Sequence, residues 1–261
     1  MGYLIEDDNH YPPPHLRPIV IGIDVGKLHD PTAVAVAELD HAASEAKPQF
    51  GIRRFERLAL GTSYPDVAAR LVNLVDNIRT RDLPLMRQYL MGRDHFLGPH
   101  NLPTAERRSI ELRIDATGVG RPLLDLIADP LRAMDVRVIA VTFRSGETLA
   151  RNGSEWSMGK GFLVARLQVL FQGDRVDIEE NHPDRAVIVD ETKNYEIHIG
   201  DSGKMQAGAF KQGKHDDMVT ALALACLTDP RRPGPAATAA EISEVMYGSY
   251  GDPWGGGDPY Q

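Results

Sequence analysis

The first part of the chain carries its apolar residues in short unbroken runs. Ile19 to Ile23 is one, closed by Asp24 and followed by Gly26. Thr32 to Leu39 is a second, rich in alanine and β-branched residues. Gln49 to Leu60 is a third, with Arg53, Arg54 and Arg57 interleaved. Runs of this length, separated by turn-forming segments such as Lys27-Leu28-His29-Asp30-Pro31, predict strands. Three in succession with short links predict an antiparallel meander. The period then changes. Val67, Leu71, Leu74, Val75 and Ile78 fall on one face of a helix over Tyr64 to Arg79, with Thr62 or Ser63 as its cap.

Residues 80–110, with Pro, Gly and His, read as an irregular loop or insertion. Ile110 to Asp115 is again an apolar strand that ends in an acid, followed by Gly118 and Gly120 and a helix over Pro122 to Ala128. Val136 to Phe143 is a buried strand. Trp156 to Phe171 reads as a helix with Leu163, Leu167 and Leu170 on one side, and Arg175 to Ile178 as a short extended piece. Tyr195 to Ile199 and Lys204 to Phe210 flank Gly200-Asp201-Ser202-Gly203, a hairpin signal. His215 to Leu227 is apolar almost all round, which predicts a buried helix. The alternation of strand and helix after residue 110 favours parallel strands with helical crossovers.

This patterning divides the chain into an acidic, proline-rich arm (1–18), one α/β domain (19–228) and a Pro/Gly-rich flexible tail (229–261). Composition changes the picture little. Of 261 residues, 42% are hydrophobic and 25% charged, an ordinary globular mixture. A single Cys excludes an internal disulfide, and no Cys/His zinc pattern occurs. No apolar run reaches the roughly 18 residues of a membrane span. The N-terminus lacks the apolar stretch of a secretory signal, so a reducing cytoplasm is expected. The net charge of −8 argues against a protein that coats nucleic acid non-specifically, but not against a nuclease, whose carboxylates contribute negative charge themselves.

The candidate chemistry lies in acids at the ends of apolar elements. They are Asp24 in Gly22-Ile23-Asp24-Val25-Gly26, Asp115 in Arg113-Ile114-Asp115-Ala116-Thr117-Gly118, and Asp216-Asp217 in His215-Asp216-Asp217-Met218-Val219. Taken singly, each is a turn former or helix cap. Two adjacent acids opening an otherwise apolar helix are harder to place on a solvated surface. A buried carboxylate is costly unless a charge compensates it. Hard divalent cations do so, and several Asp with no Cys favour Mg²⁺ or Mn²⁺ over Zn²⁺.

In this order the motifs resemble the RNase H-like superfamily, and more closely the nuclease domain of the large subunit of tailed-phage terminases. The matching pieces are Gly22 to Gly26 with Asp30-Pro31-Thr32-Ala33, Ile114 to Gly120, and Lys214 to Ala223. Lys160 to Val164 and Gly173 to Val176 resemble the helix and short strand that precede the last acids. The resemblance implies an α/β fold: an RNase H-like mixed sheet, its first three strands antiparallel and the later ones parallel, flanked by helices. It implies a metal-dependent endodeoxyribonuclease that cuts concatemeric viral DNA during genome packaging, with two Mg²⁺ or Mn²⁺ ions about 3.5–4 Å apart. Asp24, Asp115 and Asp217 would be catalytic, with Asp24 bridging the ions. Asp216 is a further metal ligand, and Asp30 an auxiliary acid acting through water. Spacing does not decide between Asp216 and Asp217; Asp217 is favoured because Ala221 and Leu224 share its face. His215 is a cap or supports a ligand. Implied partners are double-stranded DNA, the terminase ATPase motor, the small terminase subunit and the portal, in the cytoplasm of an infected bacterium, with no membrane. No G-x-x-x-x-G-K-[ST] phosphate loop occurs, so an excised or separately encoded nuclease domain is expected, the second favoured by the initial Met and the arm.

Phosphate binding needs Lys or Arg near the acids. Arg53, Arg144, Lys204, Lys211 and Lys214 are the candidates, Lys211 and Lys214 foremost because they immediately precede the paired acids. Two alternatives keep the sheet: a Holliday junction resolvase, with the same chemistry, and an ATP-binding protein like actin or the sugar kinases, with a different one. The second needs two such domains, for which the chain is short. A non-catalytic packaging or scaffold domain is the reading if no metal binds.

Overall fold

The computed structural model describes residues 17–26, 30–40, 49–90, 108–118, 120–144, 149–199, 205–208 and 216–227. Apart from Arg17 and Pro18, the expected arm and tail lie outside them, and so do Lys204, Lys211, Lys214 and His215.

The first three runs form β1 (Ile19–Asp24), β2 (Ala33–Asp40) and β3 (Gln49–Arg57), joined as the antiparallel meander the sequence predicts. After them come α1 (Tyr64–Leu90), β4 (Ile110–Asp115), α2 (Gly120–Ala133), β5 (Val136–Arg144), β6 (Ala150–Asn152), β7 (Glu155–Gly159), α3 (Lys160–Gln172) and β8 (Val176–Ile178). The chain continues with α4 (Arg185–Asn194), β9 (Glu196–Ile199), β10 (Met205–Gly208) and α5 (Asp217–Ala225). Eight strands make one mixed sheet in the order β6-β7-β5-β4-β1-β2-β3-β8, and β9 pairs with β10 as a separate hairpin. β4 runs parallel to β1, β5 to β4, β7 to β5 and β8 to β3.

Alternation along β1 sets the two layers. Ile19, Ile21 and Ile23 join Val67, Leu71 and Val75 of α1 and Leu123, Ile127 and Leu131 of α2 in one core. The other face carries α3 and α5, whose Leu163, Leu167, Leu222 and Leu224 pack with Phe50, Val141 and Trp156. Every residue of α5 is buried, and each leucine so enclosed contributes about 2 kcal/mol. Among the described residues no helix is long and apolar enough to cross a membrane.

The structure corrects four local expectations. The helix expected over Tyr64–Arg79 continues to Leu90, into the supposed loop. α2 runs from Gly120 to Ala133, through Pro130, because Leu131 is anchored in the core. Trp156 to Gly159 is strand, not helix. Gly153, at φ +58°, turns β6 into β7, and Trp156 and Met158 alternate onto the buried face. α4 has no counterpart among the predicted elements.

Candidate metal centre

The acids gather at one end of the sheet. β1 and β4 are paired parallel, with Ile23 opposite Ile114, so Asp24 and Asp115, the next residues on each, end neighbouring strands together. α5 reaches them because Gly22 lets it. A Cβ on Gly22 would stand 2.0 Å from the Ala221 carbonyl oxygen and 2.5 Å from the Ala225 nitrogen. The helix backbone thus lies directly on β1. Asp24 is on the same strand face two residues further along, and Asp217 and Asp216 open the helix one turn before Ala221. A similar approach fixes Asp115: its Oδ1 accepts a 2.8 Å hydrogen bond from the Thr117 N–H, and a Cβ on Gly120 would stand 1.8 Å from its carbonyl oxygen. Asp115 is therefore a turn former as well as a member of the acidic cluster.

The electrostatics centre on Asp24. Burial pushes its carboxyl up from 3.8 to about 8; Lys160 opposes the shift, while Asp115, Asp216 and Asp217 add to it. Asp115, Asp216 and Asp217 are thus all close enough to act on Asp24. Lys160 opens α3, directly after β7, and its Nζ donates a 2.9 Å hydrogen bond to Asp216 Oδ2. Burial works against its charge, but Asp216, Asp24 and Asp115 outweigh this and hold its pKa above the ordinary lysine value.

Asp217 is held differently. Arg57, the last residue of β3, donates from Nε to Asp217 Oδ2 at 2.7 Å and from Nη2 to Oδ1 at 3.1 Å. The same guanidinium bonds Glu191 of α4. Burial raises the Glu191 pKa against the pull of Arg57. Two adjacent acids therefore face two different cations, Asp216 the lysine and Asp217 the arginine. With these pairings, no three His, Cys, Asp or Glu side chains among the described residues stand in metal-ligand geometry. The donor set nonetheless fits a hard cation. It is all carboxylate oxygen, and Asp24 is desolvated without enough positive charge to hold it ionised at neutral pH. Glu191 Oε2 and the Tyr195 hydroxyl, beside these acids, are buried with no hydrogen-bond partner.

The remaining candidates divide. Arg144 is exposed and pairs in register with Gly159, next to Lys160, so it lies at the acidic end. Arg53 does not: it bonds Glu38 at 3.3 Å, beyond the middle of the sheet, where Ile19 and not Asp24 pairs with Glu38. Asp30 is exposed and is absent from the carboxylates acting on Asp24. It lines a separate cavity of about 270 Å³ with Gly26, Thr32, Gly61, Thr62 and Ser63. Lys160, Glu191 and Tyr195 are site residues the sequence reading missed, and Arg57 was noted only as one of the arginines interleaved in the third strand. Lys160 sat inside a quoted motif; Glu191 and Tyr195 lie on or next to the helix that was not predicted.

Solved structures of the same architecture exist. The nuclease domain of the large terminase subunit of bacterial virus Sf6 is 11% identical, with 81% of this chain and 89% of that chain covered and a TM-score of 0.50. A mutant fragment of the large terminase subunit of bacteriophage Sf6, solved with calcium, is 11% identical over the same shares, with a TM-score of 0.51. The large terminase nuclease from thermophilic phage G20c with bound magnesium is 23% identical over 80% of each chain, with a TM-score of 0.48. No protein-family model matches the sequence, and no curated protein matches it. The chain shares the fold of the Sf6 large-terminase nuclease domain.

Proposed function

We propose that the protein is a metal-dependent endonuclease that cleaves double-stranded DNA during viral genome packaging. The observation that carries this reading is the Asp24 carboxyl, half-buried at the end of β1, pushed up to about 8 by desolvation, and flanked by Asp115, Asp216 and Asp217. Such a cluster is stable in ionised form only around added positive charge. Asp24, Asp115 and Asp216 would hold Mg²⁺ or Mn²⁺, with Asp217 completing the ligand set for a second ion. Asp24 is the natural shared ligand, having Asp115 beside it and the α5 acids above. Bound there, divalent cations lower the pKa of an attacking water and neutralise charge on the phosphoryl and leaving oxygens.

The protein's own groups do the rest. Lys160, which holds Asp216 without metal, would be released by the cation and leave its positive charge beside the acids for a phosphodiester. Arg57 fixes the first turn of α5. Arg144, and Lys204, Lys211 and Lys214 from the segments before α5, contact the DNA backbone, which gives weak sequence preference. Asp30 and Arg53 serve at the periphery, and His215 supports the α5 acids. An ATPase motor, the small terminase subunit and a portal would be the partners, in the cytoplasm of an infected bacterium. The calcium in an Sf6 structure of this fold supports the choice of a hard cation.

Incubating supercoiled plasmid with the protein and Mn²⁺ tests this reading. Nicking and linearisation that are lost in Asp24→Asn and Asp115→Asn support it. A protein that binds Mn²⁺ but leaves plasmid and four-way junctions intact overturns it, and cleavage confined to junctions favours a resolvase.

A further inference from the structure

The end of α4 faces the acidic cluster with two side chains that the carboxylate motifs do not include. Glu191 and Tyr195 are four residues apart, one turn, so both point toward the start of α5. Glu191 Oε1 accepts from Arg57, and the carboxylate also takes a backbone hydrogen bond from Met218. Glu191 Oε2 and the Tyr195 hydroxyl are buried without a hydrogen-bond partner. The Tyr195 hydroxyl is a donor at neutral pH, and Asp216 and Asp24 lie close enough to act on it. An unmade hydrogen bond at a buried polar atom costs about 1–3 kcal/mol. At the Tyr195 hydroxyl, beside the carboxylates of a cation site, that cost calls for a partner that accepts.

We propose that Tyr195 holds the hydration shell of the cation: its buried hydroxyl donates to one water of that shell. The inference rests on the cation reading of the acidic cluster. It fits the chemistry of Mg²⁺ and Mn²⁺ sites, which keep several waters. It makes Tyr195 a positioning residue, acting on the cation through water. The alternative, a Tyr195 hydroxyl that serves only the fold, predicts the opposite sign in metal-free protein.

The test is Tyr195→Phe, which removes one oxygen and keeps the ring. Mn²⁺ binding to the whole chain is titrated by electron paramagnetic resonance, and melting is recorded without metal. The proposal expects a metal-free melting temperature equal to or above that of the wild type, because no protein hydrogen bond is lost. It expects Mn²⁺ affinity to fall about three- to tenfold, the worth of one hydrogen bond. A lower metal-free melting temperature, or unchanged Mn²⁺ affinity in a wild-type protein that binds the ion, overturns the role of Tyr195 and leaves the cation site standing. A wild-type protein that binds no Mn²⁺ overturns both.

Discussion

The α-carbon of Gly22 and the carbonyl of Ala221 are so close that a methyl group on the glycine would stand 2.0 Å from the oxygen. This contact holds the helix bearing Asp216 and Asp217 over the strand bearing Asp24. Gly22→Ala must push α5 off the sheet. Overpacking of this kind destabilises by about 3 kcal/mol, and here it also separates the acids. The expected outcome is a melting temperature lower by several degrees and weakened Mn²⁺ binding, measured by thermal melts with and without the ion. Gly61→Ala is the control, since nothing lies within 4 Å of its added methyl and only the strain of φ +82° is felt.

Arg57 neutralises two carboxylates that are almost fully buried, Asp217 and Glu191, each with 7% of its side chain exposed. Removing one partner of a buried pair costs about 3–5 kcal/mol, because the other is left charged and unpaired. Arg57→Met is therefore expected to destabilise strongly. Arg57→Met with Asp217→Asn and Glu191→Gln is expected to recover most of the loss. Chemical denaturation of both variants checks this; equal losses would mean the arginine acts through packing alone.

The Asp24 carboxyl makes metal-free stability depend on pH. Its pKa is about 8 in the folded protein and 3.8 ordinarily, so between these values the folded state binds the extra proton. Stability is therefore highest below the lower value and falls as pH rises through the window toward the upper one. Asp24→Asn removes this slope. At pH 8.5 without metal the variant is expected to melt several degrees above the wild type. Cation binding must displace the same proton, so Mn²⁺ affinity of the wild type should rise about tenfold per pH unit until the pH nears the Asp24 pKa. A flat stability profile from pH 5 to 8.5 would contradict this.

The framework of the site was legible in the sequence. The runs ending at Asp24 and Asp115 became β1 and β4 with the bounds read from the sequence, because an unbroken apolar stretch stopped by an acid carries its own boundary. The wholly apolar helix behind Asp216 gave α5. What pairs with the acids was not legible. Arg57 meets Asp217 across 160 residues of chain and Glu191 across 134, and no local pattern encodes such contacts. Lys160 was hidden for a different reason. The leucines of α3 gave a helical period that was extended backward over Trp156 to Gly159, so the strand-to-helix junction that aims Lys160 at Asp216 was read as mid-helix. Glu191 and Tyr195 went with α4, whose apolar period is too weak to announce a helix.

The central claim is that Asp24, Asp115 and the α5 acids form one cation site. Anomalous diffraction from crystals of the protein soaked in Mn²⁺ tests it most directly. The account predicts manganese peaks between Asp24, Asp115 and Asp216, with the Lys160 ammonium moved off Asp216 Oδ2. Manganese bound elsewhere, with the Lys160–Asp216 pair intact and no peak at Asp24, would contradict it.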